Sequence, residues 1–379
     1  MIRMPELKTG VMGGMEVPAR EVLLAMREGS YILRARGGEM TRVPAEKCLL
    51  PHDPQANPQA VYAAQSPDGV VYVRLASLMC RSTDGGRSWG SYEIPEEGHC
   101  FQVLGDGTFV GFGAVELEAE KGCVPVVSSP DEGRTWRRIS EIALPPGHSG
   151  GIYAMYRLED DMLVCGVAAS DHVFDDGEYV SGGGYVDAYR SADGGVNWEG
   201  PADRICEWGS EGGIAQTASG KLLAVIRHQR PLLPDDPPDL VERNGGMSGW
   251  PYKNVFLVDS RDRGKTWENF RQLTTVFGQT RGWPAALSDG TVVVVHDTRY
   301  GPGSPGSRAM ISRDEGNAWE DEVYYLDCTT FTGSYNVSVV LEDDLILTVA
   351  GTSDAGNDWG LVLDHTDFTA IRWRPIKTA

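Results

Sequence analysis

Short apolar runs, each interrupted by a turn pair such as Asp-Gly or Ser-Gly, follow one another along most of this chain. Two examples are QAVYAAQSPDGVVYVRLA, which starts at Gln59, and RGWPAALSDGTVVVVHDTR, which starts at Arg281. Apolar strands bounded by turn residues at this density are typical of antiparallel sheets joined by tight hairpins. No stretch shows a convincing amphipathic helical period. The pattern therefore predicts an all-β fold.

An eight-residue signature, Ser-x-Asp-x-Gly-x-x-Trp, occurs five times among these strands. The copies begin at Ser82, Ser129, Ser191, Ser260 and Ser312. In each copy the Asp carboxylate can accept hydrogen bonds from its own turn, the Gly supplies a positive φ, and the Trp buries a large ring between sheets. Repeats spaced by roughly 45–70 residues predict supersecondary units that stack on a shared hydrophobic face.

These signatures resemble the Asp boxes of the sialidase superfamily, and the resemblance extends from about residue 52 to the end of the chain. It implies a β-propeller of four-stranded antiparallel blades. Each box is expected on the turn between the third and fourth strands, away from the active-site face, so its Asp is expected to form the turn and not to catalyse. We predict six blades, because the candidate site residues fall into that register; the alternative is seven blades, with a degenerate N-terminal one.

The chain, residues 1–379, is predicted to form one propeller domain. Residues 1–50 contain three predicted strands, EVLLAM, YILRAR and MTRV, which either complete the last blade and close the ring or form the seventh blade. Two long segments, residues 170–184 and 228–254, are predicted to be loops. Long loops on a rigid scaffold commonly carry binding residues; the other interpretation is a disordered surface segment.

Charge and cysteine content limit the partners. The formal net charge is −20, whereas nucleic acids and anionic membranes require a cationic face, so neither is an expected partner. An anionic substrate would need a local cluster of arginines. The N-terminal segment lacks the apolar core of a signal peptide, and the seven cysteines form no Cys-x-x-Cys pair. We therefore expect a cytoplasmic protein with free thiols and without a metal or other cofactor.

The resemblance also implies catalytic and substrate-binding residues. It places a glutamate and an arginine of the fourth blade at Glu211 and Arg227, an arginine of the fifth at Arg308, and a tyrosine of the sixth at Tyr335. A phenol is a poor nucleophile at neutral pH unless a base such as a glutamate lies within hydrogen-bond reach. Sialidases use such a tyrosine, and arginines bind the sugar carboxylate through paired hydrogen bonds. A core-lining Tyr335 and an Arg227 that only pairs with Glu211 remain the structural alternatives.

One regularity is independent of any family. Glu211, Arg281 and Tyr335 each lie eight residues before the polar turn residue of their own predicted blade. Because a common offset along equivalent strands gives a common height around the axis, we expect these three side chains to meet.

Two parts of the family's site are missing from the sequence. The first arginine belongs at residues 57–60, which read Asn-Pro-Gln-Ala, and GVVYVRLASLMCRS leaves no room for the loop that carries the acid/base Asp. His99 and His148 are the candidate substitutes for acid/base catalysis, since each opens a predicted blade and histidine titrates near neutrality; a structural role for either is the alternative.

The fifth predicted blade offers further substrate contacts at its strand ends. Trp283 is a candidate sugar-stacking platform, although burial between blades fits it equally well. Arg281, Asp297 and Arg299 are candidate substrate contacts.

Together these features predict a sialidase-like, exo-acting glycoside hydrolase for a terminal, carboxylate-bearing sugar, with carbohydrate as its partner. One alternative is a glycan-binding propeller without turnover, which the missing arginine and Asp favour. The other is a histidine-based sugar lyase or hydrolase on the same fold.

Overall fold

A computed structural model gives the conformation of most of the chain. It describes residues 11–12, 15–16, 18, 20–54, 56, 61–113, 116–118, 121–175, 178–243, 251–274, 277–298, 305–328, 335–353 and 366–377. The regular secondary structure of the described part is almost entirely β-strand, in a propeller arrangement, which confirms the all-β prediction. None of its helices is long and apolar enough to cross a membrane.

The N-terminal segment contains the longest helix of the described chain and the strands that follow it. Its elements are β1 (Val11–Met12), β2 (Met15–Glu16), α1 (Arg20–Glu28), β3 (Tyr31–Arg36) and β4 (Glu39–Leu49). The prediction of a strand at EVLLAM is therefore wrong, and so is the expectation that no amphipathic helix occurs. In α1 the side chains of Leu23 and Met26 are fully buried, whereas Val22 and Leu24 are exposed, and this three-residue spacing is the helical one.

Apart from the two-stranded sheet of β1 and β2, four sheets of the described chain stand alone. The first is β5 (Val61–Gln65), β6 (Val71–Leu75), β7 (Leu78–Ser82) and β8 (Gly90–Glu93). The second is β9 (His99–Val103), β10 (Phe109–Phe112), β11 (Glu116–Glu118), β12 (Lys121–Ser129) and β13 (Arg137–Ala143). The third is β14 (His148–Arg157), β15 (Leu163–Asp175), β16 (Glu178–Ser191) and β17 (Arg204–Glu207). The fourth is β18 (Gly209–Gln216), β19 (Leu222–Arg230), β20 (Tyr252–Ser260) and β21 (Glu268–Gln272), with the short helix α2 (Leu240–Arg243) between β19 and β20.

The remaining strands join β3 and β4 in one continuous nine-stranded sheet. They are β22 (Gln279–Ala286), β23 (Val292–Thr298), β24 (Gly306–Ser312), β25 (Glu322–Tyr325), β26 (Asn336–Val340), β27 (Ile346–Ser353) and β28 (Thr366–Trp373), with a 3₁₀ turn at Glu342–Asp344. The order across the sheet is β22-β23-β24-β25-β3-β4-β28-β27-β26. The prediction of six separate four-stranded blades, or of seven, is therefore wrong. Four blades stand alone, and the N-terminal hairpin β3–β4 fuses the strands predicted for blades five and six, because β3 pairs with β25 and β4 with β28.

The first strands of these sheets surround a common centre. Strands β5, β9, β14, β18, β22 and β26 each contact the next in this order, and β26 returns to contact β5. We call these six the inner strands. Since they all run in the same sense from loop to turn, their first residues gather at one end of the centre and their last residues at the other.

The segment predicted as a loop at residues 170–184 is instead mostly strand. Strands β15 and β16 pair continuously from Leu163–Ser191 to Asp175–Glu178, with a register shift after Ser170. The other predicted loop, 228–254, begins inside β19 and contains α2; residues 244–250 lie outside the described part.

Four of the five octapeptides join the third strand of a group to its fourth; the copy at Ser129 joins β12 to β13, because β11 adds a strand to the second sheet. All five fold alike. In the first copy the backbone N–H of Gly86 donates to Ser82 Oγ (2.8 Å), and that of Ser88 donates to Asp84 Oδ1 (3.0 Å). The Gly and Ser pair recurs at 2.8 Å in the other four copies. Hydrogen bonds from Ser88 hold the pKa of the Asp84 carboxyl well below its usual value. The aspartates thus form the turns that contain them.

The Trp of the octapeptide at Ser260 fills the space between the third and fourth sheets. Trp267 is 8% exposed and packs in a cluster with Val164, Ile214 and Val258. We expect Trp267→Ala to lower the free energy of unfolding by about 3–5 kcal/mol, because the substitution leaves a cavity. Urea unfolding measures the loss, and the exposed Glu268→Ala variant should change it by less than about 0.5 kcal/mol. Equal losses in both variants would contradict this packing role.

Candidate active site

Irregularities in two inner strands position the first candidate residues. The pairing of β18 with β19 shifts register between Gly209 and Gly212, and the pairing of β22 with β23 shifts between Thr280 and Trp283. Glu211 and Arg281 lie inside these irregular segments. Such bulges re-aim side chains and are common beside active sites.

Tyr335, Glu211 and Arg227 form a contiguous hydrogen-bonded group. The Tyr335 hydroxyl donates to Glu211 Oε1 at 2.5 Å. Arg227 Nη1 donates to Tyr335 Oη at 3.3 Å and lies 2.6 Å from Glu211 Oε2. Arg227 Nε donates to Ser210 Oγ at 2.9 Å, which fixes the guanidinium on the strand end. Tyr335 is 6% exposed and Glu211 9% exposed, so the phenol is held between an acceptor and a cation in a largely desolvated place.

Arg281 lies against the ring of Tyr335. Its guanidinium carbon is 4.5 Å from the Tyr335 ring centroid, 5.4 Å from that of Tyr62 and 5.6 Å from that of Trp283. Arg281 is 1% exposed, and Nη2 donates to the carbonyl of Val61 at 3.4 Å. The structure thus brings together Glu211, Arg281 and Tyr335, the three residues that share the common offset.

Arg308 makes its described contacts two strands farther out. It is fully buried, donates to the carbonyl oxygens of Ser307 (3.2 Å) and Asp327 (3.1 Å), and lies 4.6 Å from the centroid of the Tyr325 ring. These contacts tie its guanidinium to β24 and to the chain that follows β25. Its predicted role as a carboxylate ligand stays a prediction.

The other predicted contacts of the fifth group fall in different places. Asp297 is 1% exposed and accepts a hydrogen bond from Thr280 Oγ1. Trp283 is partly buried, and its Nε1 donates to the carbonyl of Ser338 at 2.9 Å, so the ring packs between β22 and β26. Arg299 lies outside the described residues.

His99 reaches the group through Tyr62. The two rings meet edge to face at 6.1 Å, and Tyr62 in turn lies beside Arg281. Burial, with the nearby charge of Arg74, lowers the pKa of His99 to about 4. At pH 7 this imidazole is neutral, so it suits a hydrogen-bonding role better than that of a general acid.

His148 contacts a different set of residues, in the third sheet. Its ring lies 5.8 Å from that of Tyr185, and its Nδ1 is 3.2 Å from the carbonyl of Pro146. Arg204 covers the Tyr185 ring at 3.9 Å. These neighbours belong to the third sheet, and the predicted catalytic role of His148 stays a prediction.

Two residues of the first sheet, the partly buried Tyr62 and the buried Arg74, were not predicted from the sequence. Tyr62 is the second residue of β5. The eight-residue offset that groups Glu211, Arg281 and Tyr335 falls on Ala60 in this strand, because the turn residue here is Asp68, so it does not select Tyr62. Arg74 is 1% exposed and donates to the carbonyl oxygens of Glu96 and Glu97, so it holds the segment before β9. Strands β6 and β7 are joined through Ala76 and Ser77 alone, so this turn carries no carboxylate.

A cavity of about 230 Å³ occupies the centre toward the other end of the inner strands. All six inner strands line it, and Gln65, Gln102 and Gln216 supply polar groups. Trp283 also lines it, so this ring lies beside both the cavity and Arg281. Within the described residues, no group of three or more His, Cys, Asp or Glu side chains is arranged to hold a metal ion.

A second ionic group lies behind Arg308, around the carboxylate of Asp327. Asp327 is 2% exposed, and its Oδ1 accepts from the Cys328 N–H at 2.7 Å and lies 3.8 Å from Arg27 Nε of α1. Burial raises the pKa of Asp327 to about 6, although Arg27, Lys47 and Arg308 act in the opposite direction.

This raised pKa predicts a pH-dependent effect of Asp327→Asn. The folded protein binds the Asp327 proton more tightly than the unfolded chain, so its stabilisation is present below about pH 4 and lost as the pH rises through about 6. Relative to the native protein, Asp327→Asn should therefore gain about 2–3 kcal/mol in free energy of unfolding between pH 4 and pH 7.5. Urea unfolding at both values tests this; a relative loss at pH 7.5 would show that the Arg27 pair outweighs burial.

Comparison with known proteins identifies the fold. The sequence matches no family model and no curated protein. A Dyadobacter fermentans protein of unknown function is similar in structure, with a TM-score of 0.59, 16% identity, and coverage of 87% of this chain and 98% of its own. An α-L-arabinofuranosidase of Fusarium graminearum, in complex with an iminosugar inhibitor, is similar with a TM-score of 0.55 and 15% identity; the match covers 90% of this chain and 98% of the arabinofuranosidase. The Hadza microbial sialidase Hz136 is similar with a TM-score of 0.52 and 14% identity. The match covers 82% of this chain and 65% of the sialidase, so this chain spans about two thirds of that sialidase. The fold therefore resembles those of a sialidase and an arabinofuranosidase, both β-propeller glycosidases.

Proposed function

We propose that this protein is a glycoside hydrolase that removes a terminal, carboxylate-bearing sugar, with Tyr335 as nucleophile and Glu211 as its base. The observation that carries the proposal is the 2.5 Å hydrogen bond from the Tyr335 hydroxyl to Glu211. A nucleophile within hydrogen-bond reach of a base, which a third group orients, is the recurring arrangement of covalent catalysis. Arg227 is that third group, since it contacts both side chains.

The arrangement supports a double displacement. The Tyr335 oxygen bonds to the anomeric carbon while its proton passes to Glu211, and the glycosidic C–O bond breaks with its electrons going to the leaving oxygen. Water then attacks the anomeric carbon and the bond between the sugar and Tyr335 breaks; Glu211 returns its proton to the departing Tyr335 oxygen, and the proton of the attacking water passes to solvent. A neutral phenol suits an acidic sugar because a carboxylate nucleophile would repel the substrate's own carboxylate.

The carboxylate of the substrate is proposed to bind Arg227, with Arg308 as the second predicted ligand. Arg227 already lies beside the phenol, and its side chain keeps about an eighth of its surface exposed. A carboxylate at Arg227 would share the guanidinium with Glu211, and paired hydrogen bonds of this kind are strong.

The second candidate is a propeller that binds a glycan without turning it over. Two observations favour it: the β6–β7 turn holds only Ala76 and Ser77, and burial keeps His99 neutral at pH 7. Neither site supplies a proton to a leaving oxygen. Glycosides whose leaving group is itself acidic need no such proton, so they separate the two candidates.

The experiment is a screen of 4-methylumbelliferyl glycosides of sialic acid, KDN, glucuronic acid and arabinofuranose, with calorimetric titration of the free sugars. The hydrolase predicts release of 4-methylumbelliferone from at least one acidic glycoside. Binding of an acidic sugar without release from any of these glycosides would favour the binding protein and contradict the hydrolase.

A further inference from the structure

Arg281 is a buried cation without a carboxylate partner among the described residues. It is 1% exposed, and its Nε and Nη1 atoms have no hydrogen-bond partner there. Its one described hydrogen bond, from Nη2 to the Val61 carbonyl, is long at 3.4 Å. Desolvating an unpaired charge is costly. A buried charge that has no partner and no evident stabilising role in the fold is a candidate functional residue.

Aromatic faces take the place of the missing counter-ion. Three ring centroids lie within 6 Å of the guanidinium carbon, and the nearest is that of Tyr335 at 4.5 Å. A desolvated cation over an aromatic face is attracted by the ring's quadrupole. A ring that carries negative charge on its oxygen attracts the same cation far more strongly, because a full charge replaces the quadrupole.

The position of Arg281 argues against direct contact with the substrate, which was its predicted role. Arg281 is almost completely enclosed, whereas the side chains of Glu211 and Arg227 each keep 12% of their surface. Arg281 also acts on the thiol of Cys100: burial raises the Cys100 pKa to about 12, and the charge of Arg281 opposes that rise. The guanidinium therefore lies within electrostatic range of the Cys100 side chain as well as of the Tyr335 ring.

We propose that Arg281 is a positioning residue for Tyr335, whose charge stabilises the negative charge that forms on the phenol oxygen when Glu211 accepts its proton. This inference rests on the proposed function. The proton transfer leaves the total charge of the group unchanged, but it moves the negative charge from Glu211 to Tyr335. Before the transfer, Arg227 pairs with the Glu211 carboxylate at 2.6 Å. After it, the charge of Arg281 stabilises the Tyr335 phenolate.

The charges around the phenol come from three elements. Glu211 of β18 opposes ionisation of Tyr335, while Arg227 of β19 and Arg281 of β22 favour it. Tyr62 of β5 is a further titratable side chain beside Arg281. With Glu211 ionised the group carries one excess positive charge, which one further anion, a phenolate or a substrate carboxylate, would neutralise.

The test measures ionisation of Tyr335 without any substrate. Protein labelled with ¹³Cζ-tyrosine is titrated by NMR, and Tyr335→Phe assigns the resonance. Arg281→Met should raise the pH at which Tyr335 ionises by about 1–3 units, since an opposite charge at this range shifts ionisation by that amount. Arg281→Lys should restore most of the native value. An unchanged midpoint in Arg281→Met, or no ionisation of Tyr335 below the unfolding pH in either protein, would overturn the proposal.

The chain offers a matched control in Arg308 and Tyr325, whose guanidinium carbon and ring centroid are 4.6 Å apart. Arg308→Met should move the Tyr325 resonance and leave that of Tyr335 in place. Should Arg281→Met fail to fold, as judged by near-ultraviolet circular dichroism, Arg281→Gln removes the same charge and keeps polar atoms. Because the NMR shift needs no turnover, a shift without hydrolysis would keep the inference and reject the hydrolase, and hydrolysis without a shift would do the reverse.

Discussion

Tyr335→Phe is expected to reduce kcat/KM for the best acidic glycoside by at least about 10³-fold, because the variant keeps the ring and loses the attacking oxygen. Glu211→Gln should reduce it by about 10²–10⁴-fold, since the amide cannot accept the phenol proton. Both substitutions are close to isosteric, so the hydrogen-bonded neighbours of β18 and β26 should keep their places. Steady-state kinetics with a fluorogenic glycoside measure both losses.

A matched Tyr→Phe change elsewhere controls for the loss of a buried hydroxyl. Tyr325 is fully buried, and its Oη has no hydrogen-bond partner among the described residues. Tyr325→Phe should therefore leave kcat within about two-fold of the native value. Undiminished turnover in both Tyr335→Phe and Glu211→Gln would remove the proposed mechanism.

Arg227→Met carries the second largest expected effect. The substitution leaves Glu211 buried without its cation, and it removes the proposed carboxylate ligand. We expect the KM for an acidic glycoside to rise by about 10- to 10²-fold, because a charge-assisted hydrogen bond contributes about 1.5–3 kcal/mol and each 1.4 kcal/mol is a factor of ten. The rise should be much smaller for the methyl ester of the same sugar, which has no carboxylate to lose contact with.

Arg42 provides the control for this prediction. It is exposed, and its guanidinium carbon lies 4.5 Å from the centroid of the Tyr31 ring, in the N-terminal hairpin. Arg42→Met should leave both KM values unchanged. If Arg227→Met weakens the ester and the acid by the same factor, Arg227 acts on Glu211 and Tyr335 alone and does not bind the carboxylate.

The sequence was sufficient to predict that three site residues lie together, because the distance of a residue from the following turn fixes its height on an inner strand. Glu211, Arg281 and Tyr335 share one offset from the following turn, and they lie together in the structure. The turns of the octapeptides were also predictable from the sequence, since Ser82, Asp84 and Gly86 form local hydrogen bonds that need no distant partner.

The pairing of strands that are distant in sequence was harder to predict. The helix α1 was predicted as a strand because a short apolar run such as EVLLAM has no period that separates the two. The nine-stranded sheet depends on β3 and β4 pairing with strands some 290 and 320 residues away, and no local pattern specifies that partner. The count of separate blades therefore failed although the strands themselves were found.

The contacts of individual side chains were the feature of the site that the sequence predicted least well. Arg227 lies near the last residue of β19 and Arg308 near the first residue of β24, yet the described contacts join Arg227 to Glu211 and Arg308 to backbone carbonyls. The difference arises from what the chain around each guanidinium offers: a carboxylate in one case and backbone carbonyl oxygens in the other. The enclosure of Arg281 by three rings has the same origin, since Tyr62 lies in β5, Trp283 in β22 and Tyr335 immediately before β26.

The most direct test of the tyrosine nucleophile is intact-protein and peptide mass spectrometry after incubation with a fluorinated analogue of the acidic sugar that the screen identifies. Fluorine beside the anomeric centre slows hydrolysis of the glycosyl-enzyme bond, so the covalent species accumulates. We expect one added sugar per chain, located on the peptide that contains Tyr335 and absent from Tyr335→Phe. An adduct on another residue, or full turnover of the natural glycoside by a protein that forms no adduct, would contradict the account.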